Sequence, residues 1–525
     1  MDERTEGTGV YLLQKSKRGI LKMVFSRIGL IVVLLVLQVL YFFSVFLRFQ
    51  AYLPQISVVV SVFTLGMLIH LFNSKMNPTA KITWLVLISV APLFGALLLL
   101  YTQINPGHRA IKRQLRRLIE DSKENIRQDP EVFQKLQDQC LLTASLARYI
   151  AHTGDFPVYD ETDVTYFPMG EDKFTELLCQ LELAQHFIFL EYFIIDEGEM
   201  WGKILEILAR KVKEGVEVRV MYDGTNEFTT LPHDYPKRLQ LLGIQCKVFA
   251  PFTPFLSTHY NYRDHRKILV IDGHTAFTGG INLADEYINK IKKYGHWKDT
   301  AIMLKGKAVS SFTLMFLQMW NYNVPNPEFG CYIQYPTFPN REAEGFVIPY
   351  ADSPLDEDKV GERVYMDILN RSERYVHIMS PYLILDGEME VALKFAAERG
   401  IDVRLILPGI PDKKTPYALA KTHYASLLES GVRIYEYTPG FVHAKVFVSD
   451  DCKAVVGTIN LDYRSLYHHF ECAAYLYRVP CITDIEADFQ ETLTQCREVT
   501  RETIKKEKLS VRFWGKVLKI FAPLM

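Results

Sequence analysis

The chain has 525 residues, with 60 Lys and Arg against 61 Asp and Glu and a formal net charge of −1. This length excludes a single small module, and the charge balance excludes a globally basic nucleic-acid-binding protein. Hydrophobic residues make up 49% of the chain, which is high for a protein whose apolar residues all lie in soluble cores. The eight cysteines are scattered and form no C-x-x-C pair, which indicates free thiols in a reducing compartment.

Three uncharged apolar runs, each of about 20 residues, follow a basic N-terminal tail (1–27): 28–47, 52–72 and 82–101. A helix of that length crosses a hydrocarbon layer of roughly 30 Å. We therefore expect a multi-pass membrane protein, with a polar helical linker (102–155) leading into a cytoplasmic main domain. The number and orientation of the spans stay open, because basic residues flank both the first run and the third.

From about residue 156 onward, strand-like and helix-like runs alternate, and the same order of elements occurs twice. The first series of predicted elements is 187–195, 200–213, 216–222, 235–242, 244–249, 267–271 and 275–278. The second series is 375–380, 388–399, 403–407, 417–429, 432–437, 445–448 and 454–456. This repeat predicts two homologous mixed-sheet α/β domains, 156–323 and 359–500, packed as a pseudo-dimer and joined by a Pro-rich linker, 324–358.

Each half also contains the pattern H-x-K-x4-D, followed seven residues later by G-x-x-N. The members of the pattern are His265, Lys267 and Asp272 in the first half, and His443, Lys445 and Asp450 in the second. The members of the following run are Gly279, Gly280 and Asn282 in the first half, and Gly457 and Asn460 in the second. A single match carries little weight, but two matches at corresponding places of a repeat indicate a shared function.

The spacing within this pattern suits phosphodiester chemistry. His and Lys two positions apart on a strand point to the same face and can reach one ligand. The Lys supplies positive charge for phosphate oxygens, and the Asn adds a neutral donor. The glycines let the backbone approach the ligand or turn sharply after the strand. Two half-sites facing each other place one His on each side of a phosphorus, so that one attacks while the other protonates the leaving oxygen, without metal or cofactor. For the two Asp residues, a chemical role and a turn-capping role both stay open.

The paired pattern resembles that of the phospholipase D superfamily, and further segments are similar to its bacterial cardiolipin synthase branch. These segments are 190–192, 280–282, 285–287, 297–299, 380–382 and 460–465. The chain departs from the family at His469, where Asn is common, and at Thr458, which replaces the second glycine. Neither position belongs to the H-x-K-x4-D pattern, so we still expect activity.

The resemblance implies a cell-membrane enzyme that transfers a phosphatidyl group between two phosphatidylglycerol molecules, giving cardiolipin and glycerol. We assign His265 as the nucleophile and His443 as the general acid and base, although the reverse assignment stays open. Lys267, Lys445, Asn282 and Asn460 would hold the phosphate. Glu286 and Glu471 are candidates to orient the histidines, unless they are simply solvated. The expected partners are anionic phospholipids and the membrane, with no nucleic acid; the oligomeric state stays open.

Three other functions compete with this interpretation. A phospholipase D-type hydrolase, or a transferase using another acceptor alcohol, differs only in how the pocket treats water. A nuclease uses the same pattern, but the apolar N-terminal region and the neutral charge argue against it. An inactive membrane scaffold is disfavoured because both patterns are complete.

The C-terminal segment 501–525 is basic and amphipathic. Val511, Trp514, Leu518 and Phe521 recur at helical intervals and predict one apolar face. Lys508, Arg512, Lys516 and Lys519 supply positive charge beside it. Such a helix suits an anionic lipid surface, and packing against the catalytic domain is the alternative.

Overall fold

The structure is a computed structural model. It describes residues 53–103, 106–154, 156–251, 262–322, 324–325, 327–334, 340–355 and 358–524, with five isolated positions nearer the N-terminus. These residues form two compact units, which we describe separately. Both α/β halves belong to the unit that contains Lys112–Phe252 and Asn261–Lys516.

The other unit contains the helices nearest the N-terminus in the described part of the chain. They are α1 (Leu53–Asn73), α2 (Pro78–Val90) and α3 (Pro92–Gln103). The side chain of Asn77 caps α2 by accepting a hydrogen bond from the Thr79 N–H at 2.9 Å. Pro78 stands in the first turn, where its missing N–H costs no helical hydrogen bond. The helices share a small core made of Met67, Leu71, Trp84, Ile88, Ala96 and Leu99.

The expected membrane spans are not supported by this part of the structure. No helix formed by the described residues is both long and apolar enough to cross a bilayer. The run 82–101 is divided between α2 and α3, because Pro92 lacks the N–H that continues a helix and its ring crowds the preceding turn. The run 52–72 corresponds to α1, and most of the run 28–47 lies outside the described residues.

Three further helices occupy the segment interpreted as a linker. They are α4 (Pro106–Ser122), α5 (Pro130–Gln139) and α6 (Leu141–Gly154). The side chain of Asp129 accepts a hydrogen bond from the Glu131 N–H at 2.9 Å and caps α5. The predicted helical character of 102–155 therefore agrees with the structure, with a break between α5 and α6 at Cys140.

The first α/β half is built on a seven-stranded sheet with the order β1-β9-β7-β6-β2-β3-β4. The strands of this half are β1 (Thr162–Phe167), β2 (Phe187–Tyr192), β3 (Glu217–Asp223), β4 (Gln245–Phe249), β5 (Arg263–Asp264), β6 (Lys267–Ile271), β7 (Thr275–Gly279), β8 (His296–Lys298) and β9 (Ala301–Gly306). Its helices are α7 (Gly170–Glu182), α8 (Glu199–Lys213), α9 (Asn226–Thr229), α10 (Tyr235–Leu241), α11 (Val309–Trp320) and α12 (Gly330–Ile333). Every residue of β2 and β6 is buried, as expected for central strands covered on both faces.

The second half repeats this order in its own sheet, β10-β17-β16-β15-β11-β12-β13, with β18 added at one edge. The strands are β10 (Phe346–Asp352), β11 (Tyr375–Met379), β12 (Asp402–Pro408), β13 (Arg433–Tyr437), β14 (Gly440–Val442), β15 (Val446–Ser449), β16 (Lys453–Gly457), β17 (His469–Tyr477) and β18 (Cys496–Glu498). The helices are α13 (Val360–Arg371), α14 (Gly387–Glu398), α15 (Lys414–Glu429), α16 (Tyr463–Tyr467), α17 (Ile482–Thr494), α18 (Arg501–Lys506) and α19 (Leu509–Phe521). The two mixed sheets therefore confirm the predicted duplication.

Two short parallel ladders join the halves. β5 of the first half pairs with the start of β17, and β14 of the second half pairs with β8. In each ladder one strand immediately precedes the His of an H-x-K pattern. The exchange is therefore reciprocal, and it fixes both histidines against the opposite half.

The segment 324–358 is not purely a linker. It contains β10, which pairs with β17 along its full length, from Phe346 opposite Tyr477 to Asp352 opposite Glu471. The second sheet thus begins before residue 359, where we placed the domain boundary. The sequence pattern hardly indicates β10, because this strand contains Pro349 and follows a Pro-rich stretch.

Candidate active site

The backbone holds both histidines against the opposite half of the molecule. The His265 N–H donates to the Phe470 carbonyl at 2.9 Å, and the His443 N–H donates to the Lys298 carbonyl at 2.7 Å. The two histidines are only 6% and 8% exposed. Each is thus a buried group whose position depends on contact between the two halves.

A carboxylate from the opposite half binds the Nδ1 atom of each histidine. His265 Nδ1 lies 2.9 and 3.0 Å from the two carboxylate oxygens of Glu471, and His443 Nδ1 lies 2.7 Å from Asp299 Oδ2. Both carboxylates are completely buried. Because each accepts the Nδ1 proton, each imidazole keeps an unshared electron pair on Nε2, as a nucleophile or a base requires.

Glu471 therefore occupies the orienting position that we expected of it, whereas Glu286 does not. Glu286 pairs with Lys293 at 3.3 Å, and Asp299 takes the place beside His443. Sequence reasoning missed Asp299, although it stands in the similar segment 297–299. The available signal was that an acidic residue follows each G-x-x-N run, Asp299 directly after β8 and Glu471 within β17.

Burial keeps both histidines neutral. It lowers the pKa of His265 well below the usual range, although the Glu471 carboxylate opposes this shift. Burial, assisted by the charge of Lys445, lowers the pKa of His443 to about 4. Burial alone raises the pKa of a carboxyl, but His265 and His469 hold the pKa of Glu471 well below its usual range. Near neutral pH, His265 is therefore a neutral imidazole beside the Glu471 carboxylate, and His443 is also neutral.

The two lysines of the pattern lie beside their histidines. Lys267 Nζ donates to the His265 carbonyl at 2.6 Å, and Lys445 Nζ donates to the His443 carbonyl. Burial lowers the pKa of Lys267 to about 8 and that of Lys445 to about 7. The charge of Lys267 further lowers the pKa values of His443 and Lys445, so the two half-sites lie within electrostatic reach of each other. Two crowded buried cations favour the binding of an anion such as phosphate.

The two asparagines differ in how far the protein uses their side chains. Asn282 Oδ1 accepts a hydrogen bond from the Ile194 N–H at 3.0 Å, and its Nδ2 donates to the Tyr287 hydroxyl at 2.8 Å. Asn460 is 4% exposed, and its Oδ1 has no hydrogen-bond partner among the described residues. Asn282 thus anchors the chain beyond β2 and retains one amide hydrogen for a ligand. The Asn460 side chain keeps more of its hydrogen-bonding capacity for a ligand.

The glycines of the two runs make close contacts within the protein. A Cβ atom on Gly280 would lie 2.0 Å from Asp299 Oδ1, so this glycine makes room for the carboxylate that binds His443. Gly279 has a φ of +144° and meets the Thr300 carbonyl, and Gly457 meets the Cβ atom of Ala473.

Thr458 replaces the second glycine in the second half, and its side chain has a role there. The hydroxyl donates a hydrogen bond to Glu471 Oε2 and accepts one from the Cys472 N–H at 3.0 Å. The departure from the family pattern thus adds a donor that positions the partner of His265.

Asp272 and Asp450 cap turns at the far end of their strands, which is one of the two roles that the sequence left open for them. Asp272 accepts hydrogen bonds of 2.7, 2.8 and 2.7 Å from the N–H groups of Gln185, His186 and Phe187. Asp450 accepts bonds of 3.0, 2.9 and 3.1 Å from those of Glu373, Arg374 and Tyr375. Each Asp follows its Lys by five residues, which is about 16 Å along a strand. Both hold a left-handed backbone, with φ of 49° and 56°, as turn residues often do.

One side of the site also offers a potential set of metal ligands. Ligand-type atoms of His265, His469 and Glu471, all buried, lie within 4.8 Å of one another. Imidazole nitrogen and carboxylate oxygen are groups that bind zinc. His265 Nδ1 already binds Glu471, whereas His469 Nδ1 lies 3.6 Å from Glu471 Oε1 and has no hydrogen-bond partner among the described residues.

Comparisons with known proteins agree with this geometry. The sequence profile described as "Cardiolipin synthase, PLD-like domain" matches residues 177–320 and 365–493. An uncharacterized protein of Streptococcus mutans is 59% identical over 88% of this chain and 100% of its own length. A cardiolipin synthase of Alkalihalophilus pseudofirmus is 32% identical over 88% of this chain and 93% of its own. Among solved structures, the phosphatidylserine synthase of Haemophilus influenzae shares the fold, with a TM-score of 0.55, 16% identity, and coverage of 72% of this chain and 98% of that one.

Proposed function

Because the chain belongs to the cardiolipin synthase family of the phospholipase D superfamily, we propose that it joins two phosphatidylglycerol molecules into cardiolipin and releases glycerol. The family is that of a phosphatidyltransferase, and the choice of lipid follows the names of its relatives. We place the enzyme at the bacterial cell membrane with its catalytic part on the cytoplasmic side, since its substrate resides in the bilayer.

In the first half-reaction, His265 Nε2 attacks the phosphorus of one phosphatidylglycerol. A P–N bond forms, the bond from phosphorus to the glycerol oxygen breaks, and the departing oxygen takes a proton from His443. His443 must be protonated on Nε2 for this step, and Asp299 stabilises the resulting imidazolium. Lys267, Lys445 and Asn460 supply donors and positive charge to the phosphate oxygens as they gain charge.

In the second half-reaction, the neutral His443 accepts a proton from a hydroxyl of the second phosphatidylglycerol. The resulting oxygen nucleophile attacks the phosphorus, the P–N bond breaks, and His265 returns to its neutral form. Glu471 and Thr458 keep the His265 ring oriented through both steps. Every proton given up by His443 in the first step is recovered in the second.

The single observation that carries this proposal is the reciprocal pairing of the halves. Glu471 binds His265 and Asp299 binds His443, each across the boundary between the two α/β halves. Two imidazoles, each oriented through Nδ1 by a carboxylate and each beside a buried lysine, form an arrangement suited to in-line displacement at one phosphorus.

The test is to supply the purified full-length protein with phosphatidylglycerol alone and to separate the lipid products. We expect cardiolipin and free glycerol in equal amounts. Phosphatidic acid as the main product would instead identify a hydrolase. A product formed only after serine or ethanolamine is added would identify another acceptor. The His265→Ala variant, prepared identically, controls for contaminating activity.

A further inference from the structure

The C-terminal helix α19 exposes large apolar side chains on the unit that holds the site. Leu509 is 79% exposed, Phe513 62% and Trp514 58%. Phe513 follows Leu509 by four positions, so these two side chains lie on the same face, and the ring of Trp514 contacts that of Phe513 at 5.7 Å. We call these three residues the apolar ridge. A contiguous exposed patch of this kind marks an interaction surface.

The packing of α19 against α15 prevents the helix from rotating so that the apolar ridge would be buried against the protein. Gly515 is buried against α15, where a Cβ atom would lie 2.5 Å from the Ala418 carbonyl and 2.9 Å from Thr422 Cγ2. Val511 and Leu518, which we expected to share one face with Trp514, are half-buried instead. The expected apolar face is thus divided between a side that packs on the protein and a side that stays exposed.

Positive charge borders the ridge. Lys508, Arg512 and Lys516 recur every four residues and form a stripe beside Leu509 and Phe513 on the helix surface. No acidic residue occurs from 508 to the end of the chain. This combination of aromatic and aliphatic side chains with a one-sign charge stripe is typical of helices that lie in an anionic lipid interface.

The neighbouring surface extends the positive charge. A cleft of about 530 Å³ beside the start of α19 is lined by several basic side chains. They are Lys414, Lys421, Arg497, Lys506 and Lys508. The two acidic residues of this cleft are paired internally, Glu507 with Lys421 at 2.7 Å and Glu436 with Arg497 at 2.7 Å. The cleft therefore keeps a net positive charge.

Helix α15 connects this surface with the second half-site. Its residues Pro416 and Ala420 line a small cavity together with Tyr382 and Phe441. The Phe441 ring lies 5.8 Å from that of His443. Helix α15, against which α19 packs, thus also lies near His443, the proposed general acid.

We infer that the apolar ridge and its basic border dock on the surface of an anionic phospholipid bilayer and hold the His443 half-site beside the lipid. The benefit of this docking to catalysis rests on the proposed function, whereas the contact between the ridge and the lipid does not depend on it. The charge complementarity favours lipid over a protein partner or a second copy of the chain.

The test uses the full-length protein reconstituted in bilayers of brominated phosphatidylcholine, with or without roughly one third phosphatidylserine. The chain has five tryptophans, so the signal of Trp514 is taken as the difference between wild type and Trp514→Phe. We expect this difference emission to be quenched, and more strongly when phosphatidylserine is present. The combined variant Lys508→Glu, Arg512→Glu and Lys516→Glu should lose the extra quenching caused by the anionic lipid.

Phe513→Ser should also weaken the quenching, whereas Leu241→Ser, which removes an equally exposed leucine of α10, should not. Emission from Trp514 that is untouched by brominated lipid would overturn the inference. So would a Trp514 signal that varies with protein concentration but not with lipid, which would assign the ridge to a second copy. Because quenching requires no turnover, a protein that docks but makes no cardiolipin refutes only the proposed function.

Discussion

The Nδ1 atom of His265 lies 2.9 Å from the Oε1 atom of Glu471, a residue 206 positions later in the chain. His443 and Asp299, separated by 144 positions, form the same contact in the opposite direction. Each half thus supplies the carboxylate that orients the histidine of the other. Each histidine of the H-x-K pattern therefore takes its carboxylate from the other half, so the fold couples activity to the association of the two halves.

The first prediction concerns these carboxylates. Glu471→Gln and Asp299→Asn should each lower kcat by about 10²- to 10⁴-fold, because an amide allows the wrong imidazole tautomer. Steady-state kinetics on variants with unchanged circular dichroism checks this. Glu286→Gln is the matched control and should retain wild-type activity. An Asp299→Asn variant with half of the wild-type kcat would show that His443 needs no oriented tautomer.

The sequence was sufficient to predict the duplicated α/β order and the residues of the H-x-K pattern. Strands such as β6 are continuous apolar runs, and the repeat of His265 and Lys267 at His443 and Lys445 is visible in one chain. These features are local, since they depend on spacing along a strand.

The partner of His443 could not be predicted in the same way. The sequence offers Glu286 and Glu471 as candidates to orient the histidines, whereas Asp299 reaches His443 through the ladder between β8 and β14. The register of a ladder between distant segments is not encoded in local periodicity. For the same reason, the sequence does not show that Gly280 makes room for Asp299. From the sequence alone, this glycine suggests close approach of the backbone to a ligand.

The second prediction is a loss of kcat/KM in alkaline solution. Burial lowers the pKa of Lys445 to about 7 and that of Lys267 to about 8, so both lose their positive charge as the pH rises through these values. Since kcat/KM reports ionisations of the free enzyme, it should fall between about pH 7 and 9. Burial lowers the pKa of the nucleophile His265 well below its usual range, so loss of kcat/KM from protonation of His265 falls on the acidic side.

A pH series with phosphatidylglycerol in fixed mixed micelles measures this profile. The Lys445→Arg variant keeps its charge throughout the range and, if active, should lose less kcat/KM above pH 7. A wild-type kcat/KM that rises steadily to pH 9 would contradict a role for charged lysines.

The third prediction separates stability from chemistry at the turn-capping aspartates. Asp272→Ala leaves three backbone N–H groups without their acceptor and should lower the free energy of unfolding by about 3 kcal/mol. The folded fraction should keep a kcat close to that of wild type. Thermal denaturation and active-site-normalised kinetics measure both quantities. A kcat reduced a thousandfold in fully folded protein would return Asp272 to the reaction.

The fourth prediction concerns the ligand set formed by His265, His469 and Glu471. Because His265 serves as the nucleophile in our account, EDTA treatment followed by desalting should leave activity unchanged. His469→Asn should likewise retain most of the activity. Loss of activity in the chelator that added zinc restores would show that these residues hold a metal instead.

The most direct test of the central claim is to trap the covalent intermediate. Full-length protein is mixed with phosphatidylglycerol labelled in its phosphate, quenched in base, where phosphohistidine is stable, and digested for peptide mapping. We predict label on His265 in the wild type and no label in His265→Ala. Turnover by the wild-type enzyme with no label on either histidine would contradict the two-histidine mechanism.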